Sequence, residues 1–360
     1  MLTRIRSLLQ PFHPRHLPAA IRKFREKDFN HCHVLSLSPA VAYLCWERDD
    51  TALHEGLKDR ALTLLYMFPW CTSEEYIPSI VRKIKETLRR YKKHRIILLC
   101  NELFTVDLFI SHGVEAIYCN QNCFVNESVF TINPSAVKIY DAVYNASMAP
   151  YKRHELAQKV ESLALMTYRY GGTHTSDYEK RVRARLLHAK WIKDSYSDKD
   201  KVPAREIVRL YQKCKVGLCL SAIEGAMFAS IEYLLSGLPV VTTKSVGGRD
   251  AFFDPEYVIT VADTPEAVNA GVREMCKRAP DPALIRARTL KKMELHRRRL
   301  RDLLHKDVPG LQLPWAPGTH GPMTFTSLKN LARRCRGAAK SRATDRGNME
   351  ACLPAPVSNN

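Results

Sequence analysis

Short apolar runs recur along the chain, and helix-length stretches rich in charged residues separate them. The runs are typical of strands, whereas the stretches between them carry apolar residues at helical spacing, as Ile80, Ile84 and Leu88 do within Ser79–Lys93. Strands this apolar are usually covered on both faces, as in a parallel sheet. The alternation therefore predicts an α/β protein with two doubly wound, Rossmann-like domains facing each other across a cleft.

The predicted strands fall into two series, which set the domain boundaries. They lie near Val34–Leu37, Leu62–Met67, Ile96–Cys100 and Ala116–Tyr118, and then near Lys138–Tyr144, Leu163–Thr167, Lys190–Lys193, Val216–Leu220, Pro239–Thr243 and Tyr257–Val261. We predict a basic N-terminal arm over residues 1–30, α/β domains over 31–135 and 136–280, a basic helix over 281–308 and a largely mobile tail over 309–360.

Charge and cysteine content narrow the class of protein. A net charge of +19 among 360 residues indicates an anionic partner: phosphate, acidic glycan, anionic lipid or nucleic acid. The chain has no apolar stretch of the roughly 18 to 20 residues that a membrane-spanning helix needs, and its first residues, Met1-Leu-Thr-Arg-Ile-Arg, lack the apolar block of a signal peptide. Eleven cysteines at irregular positions, several within apolar runs, are typical of free thiols in a reducing compartment. We expect a cytoplasmic protein.

Two clusters invite a metal-site interpretation. These are His31-Cys32-His33 and the pair Cys119 and Cys123, and no second pair at zinc-site spacing completes either. We therefore expect no metal and no cofactor.

The segment Val216–Arg249 carries the most chemical information. It reads as a strand ending near Leu220, a tight turn, a helix over Ala226–Ser236, a left-handed C-cap at Gly237 and a stop at Pro239. A helix start then lies at the carboxyl edge of a parallel strand, where open α/β sheets bind ligands. Its unpaired N–H groups and positive dipole end suit a diphosphate.

Two acids lie eight residues apart in this segment, Glu224 at the turn and Glu232 in an otherwise apolar helix. Eight helical residues would span ~12 Å. Two carboxylates so placed can each accept hydrogen bonds from hydroxyl pairs. Alternatively, Ser221-Ala-Ile-Glu224 forms a capping box and Glu232 is simply exposed. The co-occurrence of glycine turn, apolar helix, Gly/Pro stop and Gly247-Gly248 favours the first interpretation.

The same residues resemble a known signature. Glu, seven residues, Glu, then Tyr-Leu-Leu-Ser-Gly-Leu-Pro-Val-Val and Gly-Gly is similar to the donor site of family-four glycosyltransferases. The resemblance covers residues 116–268 and implies a GT-B fold and metal-independent transfer of a sugar from a nucleotide-diphosphate sugar with retention of configuration. It implies that Glu224 contacts the donor sugar and Glu232 the ribose. The turn, Gly225, Ala226, Met227 and Phe228, would lie against the diphosphate and sugar.

The family also places an arginine and, five residues later, a lysine after the first strand of the second domain. Here Lys152 falls on the lysine position, whereas Ser147 holds the arginine position. The resemblance makes Lys152 catalytic together with Glu224, and it adds Arg153 and Asn145 to the donor site. Arg153 is the nearest replacement for the missing arginine, and Lys244 and Arg249 are others. A solvated helix start is the alternative interpretation of Lys152-Arg153.

The resemblance also sets expectations for the first domain and for partners. The first domain would face the acceptor, and Asn120 and Asn122 would bond sugar hydroxyls or cap a turn. Asp198-Lys-Asp200 resembles the metal-binding Asp-x-Asp of the other major glycosyltransferase fold, but it lies in a lysine-rich loop and is interpreted as chance.

An acceptor on a membrane lipid would account for the charge. Relatives of this kind build cell-surface polysaccharide or lipopolysaccharide, and Arg297–Arg301 with the N-terminal arm would hold the enzyme on the inner face of the membrane. The alternative is that these charges form a solvated face. Two other functions stay open: a basic nucleic-acid-binding protein, and a GT-B-like protein that binds sugar nucleotides without catalysis, which Ser147 favours.

Overall fold

The computed structural model describes residues 32–37, 40–46, 50–68, 74–169, 175–195, 202–307 and 326–327. The predicted arm over residues 1–30, most of the tail over 309–360, His31 and the Asp198-Lys-Asp200 motif lie outside the described residues. Contacts divide the described residues into two compact units. One contains 32–67, 82–97 and 326–327, and the other contains 68, 74–81 and 98–307 with the gaps given above.

The first sheet is mixed. Its strands are β1 Cys32–Leu37, β2 Ala40–Cys45, β3 Leu62–Met67, β4 His94–Cys100, β5 Ala116–Tyr118 and, late in the chain, Thr326–Ser327, which is numbered β12. The order is β12-β1-β2-β3-β4-β5, with β1 antiparallel to β2 and β12, and with β2–β3 and β4–β5 parallel. The strand β2 was not predicted, because only two residues separate it from β1.

The second sheet is parallel throughout. Its strands are β6 Tyr140–Ser147, β7 Leu163–Tyr168, β8 Lys190–Ser195, β9 Cys214–Cys219, β10 Val240–Thr243 and β11 Val258–Val261. The order is β11-β10-β9-β6-β7-β8. Numbered from β6, this is the order of a doubly wound Rossmann sheet, in which the chain leaves the middle first toward one edge and then toward the other. All six strands were predicted, with boundaries shifted by a few residues.

Helices connect these strands. They are α1 Thr51–Gly56, α2 Ile77–Arg90, α3 Leu103–Ser111, α4 Ser176–Arg185, α5 Ala204–Gln212, α6 Phe228–Leu235, α7 Pro265–Arg278 and α8 Pro282–Asp307. Helix α6 is buried along most of its length, as its apolar sequence predicts. None of the helices within the described residues is long and apolar enough to cross a membrane.

Helix α8 matches the basic helix predicted over 281–308, and Met293, Leu300 and Leu304 form its buried stripe. The expectation that Arg297–Arg301 presents an exposed basic surface is wrong for its two end residues. Arg297 is buried and donates from both terminal nitrogens to the Glu127 carboxylate at 2.8 Å, and Arg301 is buried beside Glu294. A buried cation of this kind belongs to the core, because it is stable there only with a partner.

Candidate functional site

The second sheet has its topological switch point between β6 and β9, which are neighbours in space but distant in sequence. Open α/β sheets bind ligands at the carboxyl ends of the strands that flank such a point. The loop after β6 carries Lys152, and the loop after β9 carries Glu224. The fold therefore brings these two residues together from positions 72 residues apart.

Lys152 and Glu224 form a buried ion pair between Nζ and Oε1, and each residue is only 6% exposed. The Tyr144 hydroxyl donates to the Lys152 carbonyl at 2.5 Å, and the Glu224 amide donates to the Val246 carbonyl at 2.9 Å. A buried charge is costly unless an opposite charge and hydrogen bonds compensate it. The solvated helix start considered for Lys152 is therefore wrong. Lys152 and Glu224 thus form a buried ion pair that is fixed in position at the switch point.

Helix α6 begins at Phe228, two residues later than predicted. Its N-cap is Met227, which has a φ of 53° in the left-handed region that favours glycine. The first turn of a helix leaves backbone N–H groups without helical partners, and these favour anions. Of the predicted loop residues, Gly225, Ala226 and Met227 are buried, whereas Phe228 is 52% exposed.

The late helix start changes the interpretation of the acid spacing. Because the left-handed residue Met227 separates Glu224 from the helix, the eight residues between the acids are not one continuous helix. A span of ~12 Å computed from helical rise therefore does not apply. The capping-box interpretation of Ser221 and Glu224 is wrong for the same reason, since the helix starts four residues after Glu224.

Asn120 and Asn122 are fully buried and bond to the backbone around this loop. Asn122 Nδ2 donates to the carbonyl oxygen of Ala226 at 2.6 Å and lies 3.4 Å from that of Met227. Asn120 Nδ2 donates to the Gly248 carbonyl at 2.7 Å, and its Oδ1 accepts from the Asn122 amide at 3.0 Å. The turn-capping contact, one of the two predicted alternatives for these amides, is therefore observed at Asn120. The left-handed Met227 is braced by the Asn122 side chain, from outside its own loop.

The Gly247-Gly248 pair is explained by a close approach of backbones. A Cβ on Gly248 would lie 2.5 Å from the Asn101 carbonyl oxygen and 2.8 Å from that of Gly225. Gly247 has a φ of 111°, which side chains rarely adopt. The absence of a side chain at Gly248 therefore lets its backbone pack closely against Asn101 and Gly225.

The end of helix α6 is a Schellman motif, as the Gly237 and Pro239 pattern predicts. Gly237 has a φ of 74°, its amide donates to the Leu234 carbonyl at 3.0 Å, and the Leu238 amide donates to the Tyr233 carbonyl at 2.9 Å. The chain then enters β10 directly. Helix α6 is thus fixed at both ends, which also fixes Glu232 within it.

Glu232 is half-buried, and its Oε2 accepts a hydrogen bond from the Tyr211 hydroxyl at 2.8 Å. Tyr211 in turn accepts from Asn145 Nδ2 at 2.7 Å. Burial raises the pKa of Glu232 to about 7, and the Tyr211 hydrogen bond opposes that rise. The involvement of Tyr211 was not predicted, because nothing in the sequence around it distinguishes it from an ordinary core tyrosine.

The three candidates for the missing arginine occupy different positions. Arg153 adopts a left-handed φ of 52° and donates to the Leu220 carbonyl, to Thr243 Oγ1 and to Asp263 Oδ2, each at 2.7 Å. Arg249 is fully buried, and its guanidinium donates to the carbonyls of Cys219, Ser221 and Thr243. Lys244 is exposed, and Ser147 is buried at the end of β6. Arg249 therefore serves as a hydrogen-bond donor to backbone carbonyls near the ends of β9 and β10.

Within the described ranges, no three side chains of His, Cys, Asp or Glu lie close enough to hold a metal ion. Cys119 and Cys123 are buried thiols whose sulfur atoms are 4.0 Å apart. His154 is fully buried against Tyr144 and Tyr178, and desolvation lowers its pKa to about 3. It is therefore a neutral core histidine.

No protein-family model and no curated protein matches the chain. Solved structures do share its fold. HepE from Anabaena, in complex with UDP, superimposes with a TM-score of 0.54 at 16% identity, covering 74% of this chain and 78% of that one. HepE has also been solved with UDP-glucose.

Two further solved structures are similar. A glycosyltransferase from Rickettsia africae has a TM-score of 0.52 at 14% identity, with 75% of this chain and 77% of that chain covered. Sucrose-phosphate synthase from Thermosynechococcus elongatus has a TM-score of 0.51 at 12% identity, with 74% and 73% covered. At such identities the likeness establishes the fold, which is of the GT-B type with Rossmann-like sheets. The predicted fold class is confirmed.

Proposed function

We propose that this chain is a glycosyltransferase that moves a sugar from a nucleotide-diphosphate sugar to an acceptor with retention of configuration and without a metal ion. The observation that carries the proposal is the buried Lys152–Glu224 pair at the switch point of the second sheet, next to the start of helix α6. The fold shared with HepE and with the Rickettsia glycosyltransferase supports it.

In the proposed reaction, Lys152 and the start of helix α6 stabilise the leaving nucleoside diphosphate. The bond between the anomeric carbon and the phosphate oxygen breaks, and the diphosphate keeps the electron pair. Preorganised positive charge at this position lowers the barrier because it is strongest where negative charge develops. The acceptor hydroxyl adds to the same face of the sugar, and its proton passes to the departing phosphate oxygen.

The remaining residues bind the donor. Glu224 accepts hydrogen bonds from hydroxyls of the donor sugar, and Glu232 accepts from the ribose. Gly225, Ala226, Met227 and Phe228 carry the backbone that lies against the diphosphate. Asn145 acts through Tyr211, which donates to Glu232. Arg153 adds positive charge beside the carboxyl ends of β9 and β10, where it contacts Leu220 and Thr243.

We propose UDP as the donor nucleotide, because HepE has been solved with UDP and UDP-glucose. The acceptor we propose is a lipid-linked glycan of cell-surface polysaccharide or lipopolysaccharide synthesis, at the cytoplasmic face of an anionic membrane. The exposed cations Lys291, Arg298 and Arg299 of α8 support a peripheral contact of this kind, since each cation near such a surface contributes roughly 1 kcal/mol.

Thermal unfolding with UDP-, GDP- and ADP-sugars tests the donor class. We expect a UDP-sugar to raise the melting temperature, because a ligand at a hundred times its Kd adds about 2.7 kcal/mol to the free energy of unfolding. Glu232→Ala should fold and lose this shift. NMR of the released or transferred sugar then reports the anomer, and retention is expected.

Three results would contradict the proposal. If no nucleotide sugar stabilises the chain, the donor site is wrong. Stabilisation without any hydrolysis or transfer would indicate a binding protein without catalysis. Tight, salt-dependent binding to DNA or RNA in place of nucleotide sugars would favour a nucleic-acid-binding protein.

A further inference from the structure

Glu232 has an unusual set of neighbours for a carboxylate inside a protein. Its Oε2 accepts from the Tyr211 hydroxyl at 2.8 Å, and no Lys or Arg among the described residues forms an ion pair with it. The titratable groups beside it are Tyr211 on α5 and Tyr233 on α6. Arg286 of α8, a helix that packs against α6, donates to the backbone carbonyl of Leu235. A phenol hydroxyl therefore takes the place of a cation.

Tyr211 is itself held rigidly. It is fully buried, its ring lies edge-on to Tyr233 with centroids 4.8 Å apart, and it is stacked on Phe130 at 6.4 Å. Its hydroxyl accepts from Asn145 Nδ2 at 2.7 Å, which leaves its proton directed at Glu232. A hydroxyl has one proton to donate, so the Asn145 contact fixes the direction of the bond.

Asn145 links both tyrosines to the central strand β6. Its backbone amide donates to the Tyr233 hydroxyl at 2.7 Å, and its side chain donates to the Tyr211 hydroxyl. Space for Tyr233 comes from Gly217 on β9, where a Cβ would lie 2.4 Å from the Tyr233 ring. The position of Glu232 therefore depends on β6, β9 and α5 as well as on its own helix.

We infer that Tyr211, anchored by Asn145, is a positioning residue that orients the Glu232 carboxylate as the acceptor for the nucleotide ribose. The inference rests on the proposed function, because it assigns the ligand of Glu232 to a nucleotide. It adds a pH dependence to donor binding. A protonated Glu232 has one fewer acceptor for a pair of ribose hydroxyls, so nucleotide affinity should rise as Glu232 loses its proton.

The test compares two single-hydroxyl deletions. Tyr211→Phe removes the donor to Glu232 and keeps the ring, and Tyr233→Phe removes an equally buried hydroxyl that contacts only backbone. The Kd of UDP is measured by calorimetry from pH 5.5 to pH 9, with Glu232→Gln as the reference that cannot titrate. In parallel, the Glu232 carboxyl is titrated by ¹³C NMR in the absence of nucleotide.

In the wild type, UDP affinity should increase as the pH rises through about 7, the pKa of Glu232. Tyr211→Phe should move this midpoint upward by about one pH unit, which is roughly a fivefold loss of affinity near pH 7 that largely disappears at pH 9. The NMR titration should show the same upward displacement. Tyr233→Phe should leave the midpoint in place.

Superimposable curves for wild type and Tyr211→Phe, in calorimetry and in NMR, would overturn the inference while leaving the proposed function intact. A wild-type chain that binds no UDP at any pH would overturn the proposed function and the nucleotide part of the inference together. The NMR titration would then still decide whether the Tyr211 hydroxyl lowers the pKa of the Glu232 carboxyl.

Discussion

Glu224 and Glu232 lie eight residues apart in the same strand-loop-helix segment, yet they are stabilised in opposite ways. Glu224 precedes the helix and is paired with the Lys152 ammonium, so its charge is compensated. Glu232 lies within the helix beside the Tyr211 hydroxyl, and burial raises its pKa to about 7. One acid of the segment therefore has a cation as its partner, whereas the other has a neutral hydroxyl.

Breaking the Lys152–Glu224 ion pair should destabilise the protein more than any other change considered below. Lys152→Met leaves Glu224 buried without a cation, which should reduce the free energy of unfolding by about 3 to 5 kcal/mol. The double variant Lys152→Met/Glu224→Leu should recover most of that loss, because an apolar pair of similar volume replaces the ion pair. Urea unfolding measures both. Strictly additive losses in the double variant would show that the two side chains do not interact.

The second effect has the opposite sign and concerns Glu232. Because its pKa in the folded chain is about 7, above the ordinary 4.5, the folded state binds its proton more tightly than the unfolded state does. The stability contributed by this group is therefore present below about pH 4.5 and is lost as the pH rises toward 7. Glu232→Gln should raise the free energy of unfolding at pH 8 by up to about 3 kcal/mol.

The same variant should bind UDP poorly, so stability and binding should move in opposite directions. The free energy of unfolding of wild type and Glu232→Gln is measured at pH 8 and at pH 5. The stabilisation by Glu232→Gln should be much smaller at pH 5. An equal stabilisation at both pH values would mean that the carboxyl does not titrate in this range.

A smaller effect is expected in the loop between the two acids. Asn122→Leu removes the donor to the Ala226 carbonyl and should cost about 1 to 3 kcal/mol, because a buried acceptor is left unpaired. It should also weaken UDP binding, since the left-handed Met227 loses its brace. Asn133→Leu, the same exchange in an exposed turn, is the control and should change stability little. Equal effects of the two exchanges would mean that the Asn122 side chain does not stabilise this loop.

The sequence predicted the scaffold of this site better than its contacts. The doubly wound second sheet, the Gly237 cap and the positions of Lys152 and Glu224 follow from local patterns and from the family resemblance, because strand ends and helix stops have strong signals. The late start of α6 at Phe228 could not be predicted, since methionine rarely adopts a left-handed φ.

Contacts between side chains that are far apart in the sequence could not be predicted either. Asn122 reaches a loop 104 residues away, and Tyr211 meets Glu232 only because α5 and α6 pack together. Arg249 and Arg297 were interpreted as candidates for ligand or membrane contact, whereas folding buries both. A run of basic residues does not reveal which of them face solvent, because that depends on partners such as Glu127.

The most direct measurement compares the affinities of uridine, UDP and UDP-glucose for wild type, Glu224→Gln and Glu232→Gln at pH 8. If Glu224 holds the sugar and Glu232 the ribose, Glu224→Gln should weaken UDP-glucose relative to UDP, and Glu232→Gln should weaken all three ligands by a similar factor. Equal losses for all ligands in Glu224→Gln, or no loss for uridine in Glu232→Gln, would contradict this division between the two acids.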